Sequence, residues 1–375
     1  MRKWLNFLGW PALCGVLAGL LIALWLGRHG DTFDRDGASG PYSYADAVQR
    51  ASPAVVNIYT SKKVRTPLNI LSRDPFFRHF FNRGDQLQQE RIQRSLGSGV
   101  IIDGDGYLLT NNHVIRDADE ILVLLYDGRE ALAKVIGSDP DTDLAVLKID
   151  LDDLEPITIG DSERVQVGDV VLAIGNPYGF GQSVSQGIIS ATGRYGLRLA
   201  TYEDYLQTDA AINPGNSGGA LVDARGRLLG INAAIYTQSG GSSGIGLAIP
   251  ADLAMRTMRD LIDYGRPMRG WLGIEVRGVR RADSDSLLNA TANGVIVTAI
   301  ALDGPAAKAG LLPGDLLLAI NGQPVGDGHA GMNLIGNTRP GEQVQLQVLR
   351  NGKEMALKIT VGEKPLDREL SGEPQ

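Results

Sequence analysis

Thr208-Asp209-Ala210-Ala211-Ile212-Asn213-Pro214-Gly215-Asn216-Ser217-Gly218-Gly219-Ala220-Leu221 sets a serine among glycines, between two apolar runs. A serine hydroxyl is a weak nucleophile unless a base takes its proton, and acyl transfer also needs backbone N–H donors aimed at the developing oxyanion. Glycines at 215, 218 and 219 allow a tight bend and let a substrate carbonyl come close. Taken alone, the stretch also fits an ordinary glycine-rich hairpin turn. What decides between the two is whether a base and a carboxylate lie upstream.

The chain has 4 histidines. His29 flanks an apolar segment, His79 sits among aromatic and charged residues, and His329 lies among glycines. His113 differs, because it follows Val100–Ile102, an Asp-Gly turn and Tyr107–Thr110, a pattern that predicts a β-hairpin delivering Asn111-Asn112-His113 at a strand end. The carboxylate comes from Asp139-Pro140-Asp141-Thr142-Asp143-Leu144-Ala145-Val146-Leu147. Asp139 and Asp141 fit a solvated turn, whereas Asp143 abuts the apolar run and is placed to be buried against an imidazole. The order His113, Asp143, Ser217 is that of the chymotrypsin-type enzymes and differs from the subtilisin and α/β-hydrolase orders.

Three blocks, Thr110-Asn111-Asn112-His113-Val114, Asp141–Leu147 and Gly215–Leu221, together resemble the catalytic blocks of the HtrA (Deg) serine proteases. The resemblance implies that His113 is the general base, Asp143 orients it, Ser217 attacks, and the N–H groups of Gly215, Asn216 and Ser217 form the oxyanion hole. Pro214 departs from some members, which carry a basic or imidazole residue before Gly-Asn-Ser. In chymotrypsin-like enzymes the residue six before the serine lies at the base of the specificity pocket, here Ala211, followed by Ile212. The opposite wall is expected from Ile231-Asn232-Ala233. No charge is available there, so the expected preference is for small aliphatic residues before the scissile bond.

Composition bounds the rest. At 375 residues the chain is long enough for two or three domains. The net charge of −7, from 43 acidic and 36 basic residues with no long basic run, argues against a nucleic-acid partner. The single cysteine, Cys14, leaves no disulfide framework or cysteine metal site within one chain, and no cofactor is expected.

Leu5 to Leu26 is mostly apolar, broken only by Asn6 and Pro11 and preceded by Arg2 and Lys3. It is long enough to span a bilayer, and no small-x-small cleavage site follows it, so the expectation is an uncleaved signal-anchor. The positive flank then leaves residues 1–4 in the cytoplasm and the bulk of the chain outside it. Residues 27–42 read as a tether. Lys62 to Ser95, with Asp74-Pro75-Phe76-Phe77-Arg78-His79-Phe80-Phe81, reads as a long insertion interrupting the strands, at the position of the variable first loop of HtrA enzymes.

After a first strand at Ala54–Tyr59, ten short apolar runs between Val100 and Ile249 alternate with turn signals. They predict a mainly β, chymotrypsin-like double β-barrel with the site in its cleft, over residues 43–265. Ala251 to Gly265 reads as a closing helix with Leu253, Met258, Leu261 and Ile262 on its apolar stripe. Residues 270–363 closely resemble a PDZ domain, and 364–375 read as a tail. The resemblance implies capture of a C-terminal carboxylate by the backbone of Trp271-Leu272-Gly273-Ile274, and apolar Met332, Leu334 and Ile335 point to hydrophobic C-termini.

An anchor, an HtrA-type protease domain and one PDZ domain resemble the membrane-anchored stress-sensor type of that family. That type implies a bacterial inner-membrane protein with periplasmic domains, assembled as a homotrimer in which aromatic residues such as Tyr42 and Tyr44 take part. Its PDZ domain binds exposed C-termini of unassembled outer-membrane proteins, and its substrate is the periplasmic part of a membrane anti-sigma factor. Arg194 occupies the position of the loop arginine that transmits activation. A general quality-control protease and a PDZ receptor with a silent triad are the alternatives left open.

Overall fold

The computed structural model describes residues 43–64, 91–177, 181–235, 244–278 and 294–365. The expected transmembrane segment, the tether with Tyr42, and most of the long insertion and of the tail lie outside these residues. Among the described residues no helix is long and apolar enough to cross a membrane.

The chain's first sheet is built from β1 (Val55–Val64), β2 (Arg91–Ile101), β3 (Tyr107–Asn111), β4 (Glu120–Leu124), β5 (Glu130–Leu132), β6 (Lys134–Asp139) and β7 (Leu144–Lys148). Its order is β5-β4-β1-β2-β3-β7-β6. The anticipated hairpin forms between β2 and β3, with Gly106 at φ +92° and Tyr107 N–H donating to Asp103 Oδ1 at 3.1 Å. Leu144, Ala145, Val146 and Leu147 are all buried, so β7 is covered on both faces, as its unbroken apolar sequence requires. One expectation is corrected here. The strands run into the polar insertion, with β1 and β2 paired as far as Val64 and Arg91, so only 65–90 falls outside the described ladder.

The second half is a closed barrel of β8 (Val170–Gly175), β9 (Ser183–Arg194), β10 (Tyr205–Thr208), β11 (Ala220–Asp223), β12 (Leu228–Ile235) and β13 (Gly246–Pro250). Val171, Ala173, Ile189, Leu206, Leu221 and Ala248 fill it. Among the described residues of the two halves, helix α1 (Ala45–Ala51) precedes β1, α2 (Asn112–Ile115) is a single turn after β3, and α3 (Ala251–Tyr264) follows β13. α3 ends at Gly265, whose φ of +70° lets its N–H return to Leu261 O at 3.1 Å. Its buried face runs through Leu253, Ala254, Thr257, Met258 and Leu261. Ile262 falls off that face and is 36% exposed, correcting its assignment to the stripe. Three residues beyond Met258 already complete the turn, and Leu261 fills the space against Gly137 of β6.

The last unit carries β14 (Gly270–Trp271), β15 (Ile274–Gly278), β16 (Val295–Ile300), α4 (Pro305–Lys308), β17 (Leu316–Ile320), β18 (Gln323–Pro324), α5 (Gly328–Gly336), β19 (Gln343–Arg350), β20 (Lys353–Thr360) and β21 (Gly362–Glu363). Its main sheet runs β15-β16-β17-β19-β20, and β14 pairs with β21. The core joins Leu272, Val295, Leu317, Ile335, Leu346 and Val361.

The outer side of α5 is strapped to the segment 195–203 that links β9 to β10. A Cβ on Gly336 would lie 2.3 Å from Tyr202 Cε1, so the ring rests directly on the helix backbone. Asn333 Nδ2 donates to Glu203 O. Asp327 caps the helix, accepting from Ala330 N–H at 2.9 Å. Burial and the neighbouring Asp327 carboxylate, to which the Tyr195 hydroxyl is hydrogen-bonded, hold the Tyr195 phenol above its ordinary pKa. The strap keeps its shape because the buried Glu203 carboxylate accepts from the N–H groups of Leu197 at 2.7 Å and Leu199 at 2.6 Å.

Candidate active site

β3 ends at Asn111, and the single turn α2 swings His113 back towards the loop before β7. That loop is shaped by Asp139, which is buried and paired with Arg269, and whose carboxylate also accepts from Thr142 Oγ1 at 2.6 Å and Asp141 N–H at 3.1 Å. The Arg269 guanidinium in turn stacks 4.8 Å from the centroid of the Tyr202 ring. The expectation that Asp139 is a solvated turn residue is therefore corrected, because it is the buried anchor of the turn. Asp143 itself takes the left-handed conformation, φ +59°, which aspartate tolerates better than most residues.

The two side chains meet closely. Asp143 Oδ2 lies 2.6 Å from His113 Nδ1, and Oδ1 accepts from the His113 backbone N–H at 2.9 Å. The Asp143 carbonyl is held by Asn112 N–H and Asn111 Nδ2, each at 3.0 Å. A carboxylate accepts only, so Nδ1 is the donor in this contact. Nearby, burial, with the charges of Asp143 and Glu203 adding to it, pushes the Tyr205 phenol up, which keeps that side chain neutral beside the carboxylate.

Ser217 stands in the turn before β11, part-buried, with its hydroxyl donated to Ala233 O at 3.1 Å. Gly215 at φ +99° and Gly218 at φ +84° make that turn. A Cβ on Gly218 would lie 2.1 Å from Ser98 O, so no side chain fits there. Asn216 N–H donates to Asn213 O at 2.9 Å, whereas the N–H groups of Gly215 and Ser217 have no backbone acceptor among the described residues. Of the three amides expected to form an oxyanion hole, that of Asn216 is thus committed to the turn.

The pocket residues divide in the same way. Ala211 is half-buried and its carbonyl accepts from Ser185 Oγ at 2.7 Å. Ile212 is 2% exposed and packs within the second barrel. Asn232 is fully buried beneath the serine turn, donating through Nδ2 to Ala220 O at 3.0 Å and accepting Gly218 N–H at 2.7 Å. Both were expected in the pocket wall; Ile212 is turned into the barrel core from the segment between β10 and β11, and Asn232 lies on β12 between Ile231 and Ala233, which are buried as well. Arg194 closes β9, with Nε donating to Gln207 Oε1 at 2.8 Å.

In the last unit, Leu272 and Gly273 donate no backbone hydrogen bond among the described residues, while their carbonyls accept from Ala306 N–H at 3.0 Å and Ala301 N–H at 2.8 Å. Gly273 reaches φ +73° to make that turn. Gly328 of α5 faces β15, where a Cβ would lie 3.4 Å from Val276 Cγ2. Of the helix residues expected to line a groove, Ile335 is buried in the core and Leu334 packs against it, while Met332 is half-buried. Sequence reading missed Ser98, Tyr202 and Asn333. Only Ser98 carried a signal, being flanked by Gly97 and Gly99 much as Ser217 is by its own glycines.

The comparisons agree with this architecture. The trypsin-like peptidase domain family matches residues 97–231 and the PDZ domain family matches residues 270–361. A probable periplasmic serine endoprotease DegP-like from Pseudomonas putida (strain W619) is 44% identical over 339 residues, covering 86% of this chain and 70% of its own. The like-named protein of Halomonas elongata is 45% identical over 344 residues, covering 88% of this chain and 72% of its own. Among solved structures, an HtrA-type protease AlgW with decapeptide is similar at TM-score 0.70 and 55% identity, over 86% of this chain and 99% of that one. A serine endoprotease from Yersinia pestis is similar at TM-score 0.59 and 42% identity, over 87% of this chain and 100% of that one. With a trypsin-like peptidase domain, one PDZ domain and relatives of this identity and coverage, the chain belongs to the HtrA-type serine endoproteases.

Proposed function

We propose that this serine endopeptidase is a regulated one, in which ligand binding to the PDZ domain sets the activity of a His113–Asp143–Ser217 triad. Ser217 Oγ gives its proton to His113 Nε2 as it attacks the scissile carbonyl, and His113 returns that proton to the leaving amine. Asp143 fixes the tautomer and supports the imidazolium through the 2.6 Å contact to Nδ1. The N–H groups of Gly215 and Ser217 receive the oxyanion. Ala211 leaves room for a small aliphatic side chain before the cut.

The observation that carries the regulatory reading is the strap 195–203 lying along α5, the helix that faces β15. A hydrophobic C-terminal peptide whose carboxylate sits on the free amides of Leu272 and Gly273 adds a strand beside β15 and presses on α5. Any movement of α5 is passed to Tyr195, Tyr202 and Glu203, and along the strap to Arg194 and β9. The AlgW structures with bound peptides are consistent with such a ligand. In this reading the ligands are C-termini of unassembled outer-membrane proteins, and the substrate is the periplasmic part of a membrane anti-sigma factor. Residues 5–26 anchor a homotrimer in the bacterial inner membrane.

The experiment is cleavage of such a periplasmic segment by the full-length protein, with and without a peptide ending in aromatic or aliphatic residues. Cleavage that rises with peptide supports gating. Casein digestion unaffected by peptide supports a general quality-control protease.

A further inference from the structure

We infer that Ser98 is a positioning residue of the protease, its buried hydroxyl fixing the peptide plane that sets the two oxyanion donors; the inference rests on the triad reading above. Ser98 sits in the middle of Gly97-Ser98-Gly99 on β2 and is fully buried. Its Oγ donates to Gly215 O at 2.7 Å and accepts Asn176 N–H at 3.0 Å. Its backbone N–H donates to Ser217 O at 2.8 Å, and its carbonyl accepts from Thr110 Oγ1 at 2.7 Å. One residue therefore holds the carbonyls on both sides of Asn216.

Glycine is the residue least able to hold its own torsions, and Gly215 sits at φ +99°. The Gly215–Asn216 peptide is planar, so fixing its two polar ends fixes its orientation. Its carbonyl end is held by Ser98 Oγ and its amide end by Asn213 O, 2.9 Å from Asn216 N. With that plane set, the N–H groups of Gly215 and Ser217 on either side keep the directions that receive an oxyanion. Removing the hydroxyl leaves two buried backbone groups, Gly215 O and Asn176 N–H, without partners, and the first is relieved by turning the Gly215–Asn216 peptide. The hydroxyl's partners are Gly215 O and Asn176 N–H rather than a triad side chain, so its effect is expected in the charge-developing step.

The test uses the full-length protein, an alanine-ending peptide p-nitroanilide, the matching peptide boronic acid as an oxyanion-forming inhibitor, and fluorophosphonate labelling to count active sites. Deleting an oxyanion donor costs about 100- to 1,000-fold in kcat, and loosening the donors costs less. For Ser98→Ala the expected result is a kcat per labelled site lower by about 10- to 100-fold, a KM within about two-fold, and a boronic acid affinity lowered by the same factor as kcat. Ser98→Cys, which keeps the volume but only a weak donor, falls between the parent and Ser98→Ala. The inference is overturned if kcat per labelled site holds, if KM carries the loss, or if Ser98→Cys equals the parent. Ser217→Ala separates the two readings, because residual cleavage by that variant overturns the triad itself, whereas a dead Ser217→Ala with an unaffected Ser98→Ala overturns only the role of Ser98.

Discussion

Arg269→Met removes a guanidinium from a pair whose side chains are 7% and 2% exposed, and leaves the Asp139 carboxylate buried without its counter-ion. Removing one partner of a buried pair costs about 3–5 kcal/mol. Asp139 keeps two donors, Thr142 Oγ–H and Asp141 N–H, which solvate the charge in part and put the cost near the lower end, about 3 kcal/mol. The lost stacking on Tyr202 adds about 1 kcal/mol, for a total of about 4 kcal/mol. Urea unfolding followed by tryptophan fluorescence and by residual proteolysis measures it, with Asp139→Asn and the double variant completing a cycle. The double variant regains at least about 2 kcal/mol over the sum of the single effects, because the stranded charge is gone. A loss under about 1 kcal/mol with no coupling refutes the view that this pair anchors the turn carrying Asp143.

Burial, with Asp252 nearby and Arg256 opposing, raises the Asp204 carboxyl above its ordinary 3.8. A raised carboxyl pKa means that the folded state takes up the proton first as pH falls, so the penalty is complete above the folded pKa and fades towards pH 3.8. Asp204→Asn therefore raises Tm at pH 7, and the gain shrinks as thermal scans are repeated down to about pH 4. Gly218→Ala forces φ +84° on an alanine whose Cβ would meet Ser98 O at 2.1 Å and Thr110 Oγ1 at 2.3 Å. About 1–2 kcal/mol of backbone strain and about 1–3 kcal/mol of overpacking predict a stability loss near 3 kcal/mol by denaturant titration, together with near-complete loss of proteolysis. Gly328→Leu fills the space over Val276, so activation by a hydrophobic C-terminal peptide is lost while peptide-free cleavage stays within about two-fold of the parent. Unchanged activation would place the ligand elsewhere.

The parts of this architecture that sequence reading reached are those governed by local chemistry. The Asp-Gly turn before Tyr107 set the hairpin that carries His113, and the unbroken run Leu144–Leu147 marked a doubly covered strand preceded by a carboxylate. Glycine spacing around Ser217 marked a turn that no side chain could occupy. What escaped depended on distant partners. β10 was missed because Tyr205-Leu206-Gln207-Thr208 is short and half polar, and it is a strand only because β9 and β13 flank it. Asp139 was read as solvated because Arg269 approaches from 130 residues away. Asn216 was expected in an oxyanion hole and Asn232 in a pocket wall, yet the backbone N–H of the first is bonded to Asn213 O and Nδ2 of the second to Ala220 O. The docking of α5 on Tyr202 and Glu203 joins segments 130 residues apart, and no periodicity in either one encodes it.

The most direct measurement is the rate at which full-length protein cuts the periplasmic segment of a membrane anti-sigma factor, with and without a peptide ending in hydrophobic residues, with Ser217→Ala as the blank. The account predicts slow cleavage alone, a steep rise with peptide, and none with Ser217→Ala in either condition. A rate that is the same with and without peptide, or cleavage that survives Ser217→Ala, contradicts it.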